Sequence, residues 1–341
     1  MSNARKLADN LPSEGQLGNR NVLVNGAMNV AQRSTSETAL GANTGSYRTV
    51  DRWKINTNGT AGRFTMTQDS SAPSGFANST KFACTTADTS IAAGELFTFQ
   101  QRIEGQDLQR FAKGTSDAKQ FAVSFYVKGN ANATYAVELI DQNNSYRHVN
   151  KTFNVTTDWT RVEIIFPADT TGTLNDDNNA SLDLTFFLHA GSTYTSGTIQ
   201  ETWGALTQGN RAAGISSFFD STSRTFFITG VQLEVGSQST PFEHESYGDT
   251  LAKCQRYYQL SHTNGQGYVN GYQHVGFQAS YLTQMRAVPT VTLTLSSGGQ
   301  NNMTPPFNVY INRLDGYHGY VYASGAGNYY FYYDGVSDAE L

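Results

Sequence analysis

Along most of the chain apolar and polar residues alternate one by one, the period of a strand with a single buried face. The segment 121–128 is the plainest case, with Phe121, Val123, Phe125 and Val127 sharing one face. The same reading predicts strands over 51–55, 63–67, 82–84, 96–103, 135–140, 152–155, 159–166, 182–188 and 225–235. Val22, Val24, Met28 and Val30 flank the turn signal Asn25-Gly26 and predict an apolar strand there, and the Thr-, Ser-, Gly- and Asn-rich stretch up to Tyr47 predicts a loop. In the last strand the apolar positions run Ile228, Gly230/Val231, Leu233, Val235. Many short strands joined by Asn, Gly, Asp and Thr loops predict an all-β fold, here an N-terminal jelly-roll β-sandwich over 21–240.

Pro241 has no N–H to donate and ends the ladder. Ser246-x-x-Asp249 then reads as a helix start, and Tyr247, Leu251, Cys254 and Tyr258 fall on one face of a short linking helix within 241–262. Alternation resumes at 276–281, 290–295, 309–314, 319–323 and 329–333, predicting a smaller C-terminal β-sandwich over 263–341. In its last strand Tyr330 and Tyr332 face away from Tyr329, Phe331 and Tyr333. A small tyrosine-rich core with aromatics on both faces predicts self-association around an axis. Tyr247, Tyr258, Tyr330, Phe331 and Tyr332 are the expected oligomer interface.

Composition narrows the possible functions. Charged residues make up 15% of the chain, aromatics 12%, and 32 glycines are spread through it, the balance of a turn-rich β protein. A net charge of −5 without a basic block argues against nucleic acid as a partner. No apolar run approaches the ~18 residues of a membrane span, and the start Met1-SNARKLADNLP has no apolar signal core, so synthesis in a cytoplasm and no membrane insertion are expected. Two cysteines, Cys84 and Cys254, make no disulfide framework.

Catalysis is not expected. The six histidines form no metal-ligand spacing, and no GxSxG or Walker loop occurs. Glu138 and Glu163 are carboxylates on strands, as surface acids in any sandwich are. The run 175–179 lacks the glycine and distal glutamate of an EF-hand, so it reads as a solvated turn, and no metal or cofactor is expected. Sugar binding needs only an aromatic face and a few amide or carboxylate groups. Asn143, Asn144 and Tyr146 on a polar hairpin tip, Tyr194 in a Gly/Ser/Thr loop, and Trp203 are the candidates in the first domain. A tyrosine that covers its own hairpin base is the alternative for Tyr146. In the second domain Tyr272, His274, Tyr317 and Tyr320 lie in stretches read as Tyr/His/Asn/Gly loops, suited to adaptable contact or to packing between copies.

Three segments carry a resemblance: ITGVQLEVG, STPFEHESYGD and LAKCQRYY between Ile228 and Tyr258; NVLVNGAMNVAQRSTS from Asn21 with Asp51-Arg52-Trp53; and MRAVPTVTLT from Met285. Over about residues 18–295 the chain resembles tailed-bacteriophage tail fibre or minor tail proteins. That resemblance implies a virion structural or host-recognition role as a homotrimer, with a host cell-surface glycan and other virion proteins as partners. It also gives residues 1–20 a purpose as an attachment peptide, with Ala4, Leu7 and Leu11 on one face, and makes the C-terminal domain distal. The order LxNG, QxIxG at Gln101–Gly105, SFYVKG, Asp158-Trp159 and ITGVQLE also resembles jelly-roll carbohydrate-binding modules, without an evident exposed Trp pair. A capsid or tail decoration protein with no receptor, and a carbohydrate-binding module detached from a hydrolase, are the alternative readings.

Overall fold

The computed structural model describes residues 18–341. The fold is all-β: a jelly-roll sandwich, one short helix, and a smaller β-sandwich. The two compact units divide between Tyr247 and Gly248, with the final Leu341 grouped with the first. Ala4, Leu7 and Leu11, the expected attachment face, lie outside the described residues.

Twelve strands form the first unit: β1 (Ser36–Ala42), β2 (Gly45–Tyr47), β3 (Lys54–Asn58), β4 (Thr60–Asp69), β5 (Ser79–Thr86), β6 (Leu96–Glu104), β7 (Phe121–Gly129), β8 (Ala133–Asp141), β9 (His148–Val155), β10 (Thr160–Phe166), β11 (Ala180–Ala190) and β12 (Thr225–Val235). They pair antiparallel into two six-stranded sheets, a front sheet in the order β1-β4-β5-β12-β7-β10 and a back sheet in the order β2-β3-β6-β11-β8-β9. The inward residues of both meet in one core, where Trp53 stacks on Phe99 at 4.8 Å and Phe64 on Phe97 at 4.4 Å. Each such side chain taken fully from water contributes about 2–3 kcal/mol. Trp159, on the edge beside Phe227, is only half-buried and lies outside this core.

The segment 21–30 is not a strand. Asn25 takes a left-handed backbone (φ 59°) and winds the chain around its own side chain. Its amide donates to the carbonyls of Val30 and Asp51 at 2.9 and 3.0 Å and accepts from the N–H groups of Asn29 and Val30 at 2.9 and 3.1 Å. The loop seats on β12 at its bulge. A side chain on Gly26 would lie 2.1 Å from the Val231 carbonyl, and Asn21 donates to that carbonyl at 3.1 Å. The Glu243 carboxylate then accepts from the N–H groups of Arg20 and Asn21 at 2.6 and 3.0 Å. Thus the first motif of the chain and the 228–243 motif form one joint that closes the sandwich. The phase break at Gly230/Val231 is the bulge itself, with Gly230 at φ 62° under the Phe76 ring.

One further expectation for this unit changes. The Thr/Ser/Gly/Asn stretch before Tyr47 is not a loop: β1 adds to the front sheet and β2 to the back sheet. Between β11 and β12 the chain makes a long irregular crossover with one α-helical turn, α1 (Ser192–Thr195), and two 3-10 turns, Gln208–Asn210 and Phe218–Asp220.

The linking helix is α2 (Tyr247–Gln255), shorter than its apolar spacing suggested. Tyr258 opens strand β13 (Tyr258–Asn270), because pairing with β18 (Ala326–Asp338) claims its backbone, and its ring is buried. With β14 (His274–Ser280), β15 (Thr290–Asn301), β16 (Met303–Asn312) and β17 (Gly316–Ala323) these make two three-stranded sheets, β13-β18-β15 and β14-β17-β16. The stretch 262–268, whose Tyr, His, Asn and Gly composition suggests a loop, is strand throughout. Gly265 pairs with Phe331 and Gly267 with Tyr329, and each aromatic ring lies over the bare glycine, where a side chain would come within 2.6 and 3.0 Å of it. Phe331 and Tyr317 belong to the core of this unit and leave the surface sets to which they were assigned. Tyr317 donates or accepts at Ser261 Oγ, 2.9 Å away, from inside the sandwich.

Candidate functional site

The back sheet turns Phe97, Phe99 and Ile103 of β6, Leu182, Leu184 and Phe186 of β11, and Val137 and Leu139 of β8 into the core. Period two therefore sends the residues between them to the outer face. The register aligns these outward residues in rows: Lys54, Gln100, Thr185, Glu138 and Asn150 in one, and Arg102, Asp183, Ile140 and His148 in the next. An outer sheet face of polar residues ordinarily meets water. Here Gln100, Thr185, Asp183, Glu138, His148 and Asn150 are all buried.

Two loops produce that burial. The β11–β12 crossover brings Leu206, Gln208 and Arg211 over one side of the face, and the β8–β9 hairpin brings Gln142 and Tyr146 over another. Between them lies a cleft of about 410 Å³, floored by Asn56, Gln100, Arg102, Asp183 and Thr185.

The crossover is pinned by Glu138. Arg211 grips its carboxylate twice, Nε to Oε1 at 2.9 Å and Nη2 to Oε2 at 2.6 Å, and Asn150 donates to Oε1 at 3.1 Å. The Thr207 N–H donates to His148 Nε2 at 3.3 Å, so the His148 ring carries its proton on Nδ1 and donates it to Glu138 Oε1 at 3.1 Å. Burial pushes the Glu138 carboxyl up, but Arg211 and then His148 outweigh it and hold it near about 2.

The hairpin tip is pinned by a second buried network. Lys113 is enclosed, with Asp141, Asp169 (3.2 Å) and the Thr171 and Gly172 carbonyls (3.0 and 2.9 Å) around its Nζ. Arg147 holds Asp169 from the other side with two bonds of 3.0 and 3.1 Å. Asp169 lies below the usual carboxylate range: desolvation opposes ionisation, but Arg147, the Thr171 N–H and Lys113 favour it. Asp141 Oδ1 accepts from the N–H groups of Asn143 and Asn144 at 2.8 and 3.1 Å. The Asn144 amide spans to Asp141 and Thr173 at 2.9 and 2.8 Å, and Asn143 accepts from the Asn175 N–H at 3.1 Å. Ser145 and Tyr146 then take consecutive left-handed conformations, φ 53° and 57°. They leave the Tyr146 ring half exposed (50%) on the cleft rim.

Asp183 is left unfinished. It is 3% exposed, its Oδ2 accepts from Gln142 Nε2 at 2.8 Å, and Arg102 Nε stands 3.4 Å away, outside good hydrogen-bonding geometry. Its Oδ1 and the Arg102 Nε have no hydrogen-bond partner. Desolvation raises the Asp183 carboxyl to about 6, with Glu138 adding to the rise while Arg102, Lys54 and Gln142 pull it down. A buried acceptor and a buried donor side by side on a cleft floor can be completed by a ligand hydroxyl or carboxylate.

The residues expected to bind sugar thus separate. Tyr146 stands on the cleft. Asn143 and Asn144 brace its loop. Tyr194 packs against Phe187, with the Arg211 guanidinium 6.0 Å from its ring. Trp203 is half-buried against Phe121, its indole N–H donating to the Pro167 carbonyl at 2.8 Å and Lys113 above its ring. Gln142, Asp183, Arg102 and Gln100 were missed. Their alternation gave the face they occupy but not the loops that close over it. In the second unit Tyr272, His274 and Tyr320 do come together, stacked with Tyr322 on the outer face of β14 and β17 (Tyr272–Tyr322 5.1 Å, His274–Tyr320 4.8 Å).

Two other acidic clusters find partners within the fold. Asp88, Glu95 and His189 place ligand-type atoms within 4.8 Å of one another. Yet Asp88 accepts from Thr60 and Ala61 at 2.8 and 2.7 Å, and His189 bridges Ser217 and Glu95 at 2.8 and 3.2 Å. In the 175–179 run Asp177 folds onto Asn179, accepting its N–H at 2.9 Å. Glu163 is exposed beside Arg161. Among the described residues no helix is long and apolar enough to cross a membrane.

No family model matches the chain, and no curated protein matches it. Among solved structures, one described as CBM4 is similar at 13% identity over 62% of this chain and 97% of its own, with a TM-score of 0.32. The family 11 carbohydrate-binding module from Clostridium thermocellum, in complex with a β-1,3-1,4-mixed-linked tetrasaccharide, is similar at 13% identity over 62% and 99%, TM-score 0.29. The enzymatically active domain of bacteriophage CBA120 tailspike protein 4 is similar at 12% identity over 63% of this chain, which spans 21% of that one, TM-score 0.30. At these TM-scores the likeness leaves function to be argued from this chain's own residues.

Proposed function

We propose that this chain is a non-catalytic virion protein of the tail-fibre type that contacts a host surface glycan through the cleft on the back sheet. One observation carries the glycan reading: the Asp183 Oδ1 acceptor and the Arg102 Nε donor stand buried and uncompleted in a cleft that the half-exposed Tyr146 also lines. An aromatic face for a pyranose and fixed polar groups for its substituents are what saccharide binding requires. The non-catalytic reading is supported at Glu138, which is committed to Arg211, held at about 2 and so unable to act as a general acid. The virion role rests on the resemblance of 228–258 and 21–36 to tail-fibre proteins. A trimer would raise weak contacts to useful avidity through repeated copies. The same cleft would equally serve a binding module of a hydrolase, which would sediment as a monomer.

The test is saturable adsorption of the purified protein to host cells and to an array of surface polysaccharides. Tyr146→Ala is expected to weaken binding roughly three- to tenfold, the worth of one aromatic contact, with the melting temperature nearly unchanged. Absence of saturable binding by the unaltered protein would favour the decoration reading, and equal binding by the variant would remove the cleft rim from the site.

A further inference from the structure

Four asparagines of the chain precede a glycine: Asn25, Asn58, Asn264 and Asn270. At such a step the glycine nitrogen, with no neighbouring Cβ to hinder it, can attack the side-chain amide carbon of the asparagine. A C–N bond forms and ammonia leaves. Water then opens the five-membered imide at one carbonyl or the other, giving aspartate or isoaspartate. We propose that the fold reserves this reaction for one of the four, making Asn270–Gly271 a site of spontaneous deamidation beside the aromatic face of the second unit.

Attack requires a loose side chain, an unheld glycine N–H, and a backbone free to turn that nitrogen toward the side chain. Asn25 fails the first requirement, since it is buried and its amide is held by four hydrogen bonds. Asn58 is exposed but fails the first two. Its Nδ2 donates to the Gly94 carbonyl at 2.8 Å, and the Gly59 N–H donates to Asn43 Oδ1 at 3.0 Å. Asn264 fails the third. It pairs with Tyr332 in the middle of β13, and the next residue, Gly265, lies under the Phe331 ring. The extended backbone of a paired strand, with ψ about +135°, keeps the following nitrogen turned away from the side chain.

Asn270 meets all three. It is exposed, and among the described residues its side chain makes no hydrogen bond. The β13–β18 ladder ends at the Asn270–Ala326 rung, so the next peptide leaves the paired strand. Gly271 opens the short connection 271–273 to β14, and no atom lies within 4 Å of where a side chain on it would stand. The nitrogen therefore has room to turn. The product carries one carboxylate more, which takes the net charge from −5 to −6. That charge arises two residues before Tyr272, whose ring stacks on Tyr322 at 5.1 Å beside the His274–Tyr320 pair. Isoaspartate would also lengthen the backbone of the connection by one carbon.

The test is peptide mapping by mass spectrometry of the full chain aged at pH 7.4 and 37 °C, folded in one sample and unfolded in guanidinium chloride in another. The unfolded chain is expected to convert all four asparagines at similar rates. In the folded chain Asn270 should convert within about threefold of its unfolded rate, and the other three roughly tenfold or more slowly, because they react only after local opening. A single acidic band should accumulate in isoelectric focusing, and Asn270→Gln should abolish it. Gly271→Ala, whose added Cβ meets nothing within 4 Å, should keep the fold and slow Asn270 severalfold while leaving the other three unchanged. Conversion of another asparagine first, equal rates at all four in the folded chain, or a silent Asn270 while the unfolded chain reacts would each overturn the proposal. So would a Gly271→Ala chain that ages as fast as the unaltered one.

Discussion

Asp183 and Glu138 are carboxylates of adjacent strands on one sheet face, both buried, and they titrate in opposite directions. Desolvation acts on each, but Glu138 receives a two-bond guanidinium and two further donors, whereas Asp183 receives one amide and a misaligned arginine. Their effects on stability oppose each other. Asp183 is raised to about 6 in the fold, so its contribution is full at pH below its ordinary value near 3.8 and is lost as pH rises through 6. Asp183→Asn should therefore raise stability by roughly 2–3 kcal/mol at pH 7.5, and the difference should vanish in melts at pH 4. Glu138, depressed to about 2, contributes fully above its ordinary value of 4.5 and loses that contribution as pH falls toward 2. Glu138→Gln leaves the largely buried Arg211 without its counter-ion and should cost about 3–5 kcal/mol at neutral pH. A Glu138→Gln variant that melts with the unaltered protein at pH 7.5 would mean that the crossover is not pinned by this pair.

At the scale of elements, the β8–β9 hairpin is where sequence and structure part in an instructive way. Its tip was legible as polar residues ending in an aromatic, and Tyr146 is indeed on the rim. Asn143 and Asn144 looked like fingers for a ligand and are instead braces to Asp141, Thr173 and Asn175, because a buried lysine thirty residues away organises the loop. Lys113→Ala would leave Asp141 and Asp169 buried without that cation, at a cost of about 3–5 kcal/mol. Hydrogen exchange should show loss of protection at 141–147 and 169–173 before other parts of the first unit. Uniform loss across the unit would contradict a locally organised hairpin. Strand β13 was illegible for a related reason. Gly265 and Gly267 signal a loop by composition, but the rings of Phe331 and Tyr329 occupy the space above them, so glycine there serves cross-strand packing.

At the scale of the whole molecule, self-association is expected to run through the outer face of β18. The alternation of 329–333 sorted its residues correctly: Phe331 and Tyr333 are buried, while Tyr330 and Tyr332 remain 40% and 42% exposed on the outer face of β18. Phe331 is therefore unsuited to probing an interface, since a charge there would break the core of the second unit. The double change Tyr330→Asp with Tyr332→Asp is expected to convert a trimer into monomers in mass photometry with little change in secondary structure by circular dichroism. A monomeric unaltered protein, or a trimer indifferent to both charges, would leave that face without a role in assembly.

The order of apolar and polar side chains was enough, alone, to determine that this is a β protein of two bodies, which residues of its plainest strands face inward, and where the helix begins. All of these are local consequences of a two-residue repeat and of the backbone donor that Pro241 lacks. The cleft was settled only by the tertiary structure. A polar residue on the outward side of a strand has the same sequence signature under water as under a loop. Whether Asp183 is solvated or enclosed depends on Glu138 holding a crossover whose Arg211 lies 73 positions away. Burial of that kind is a property of distant contacts, and no periodicity encodes it.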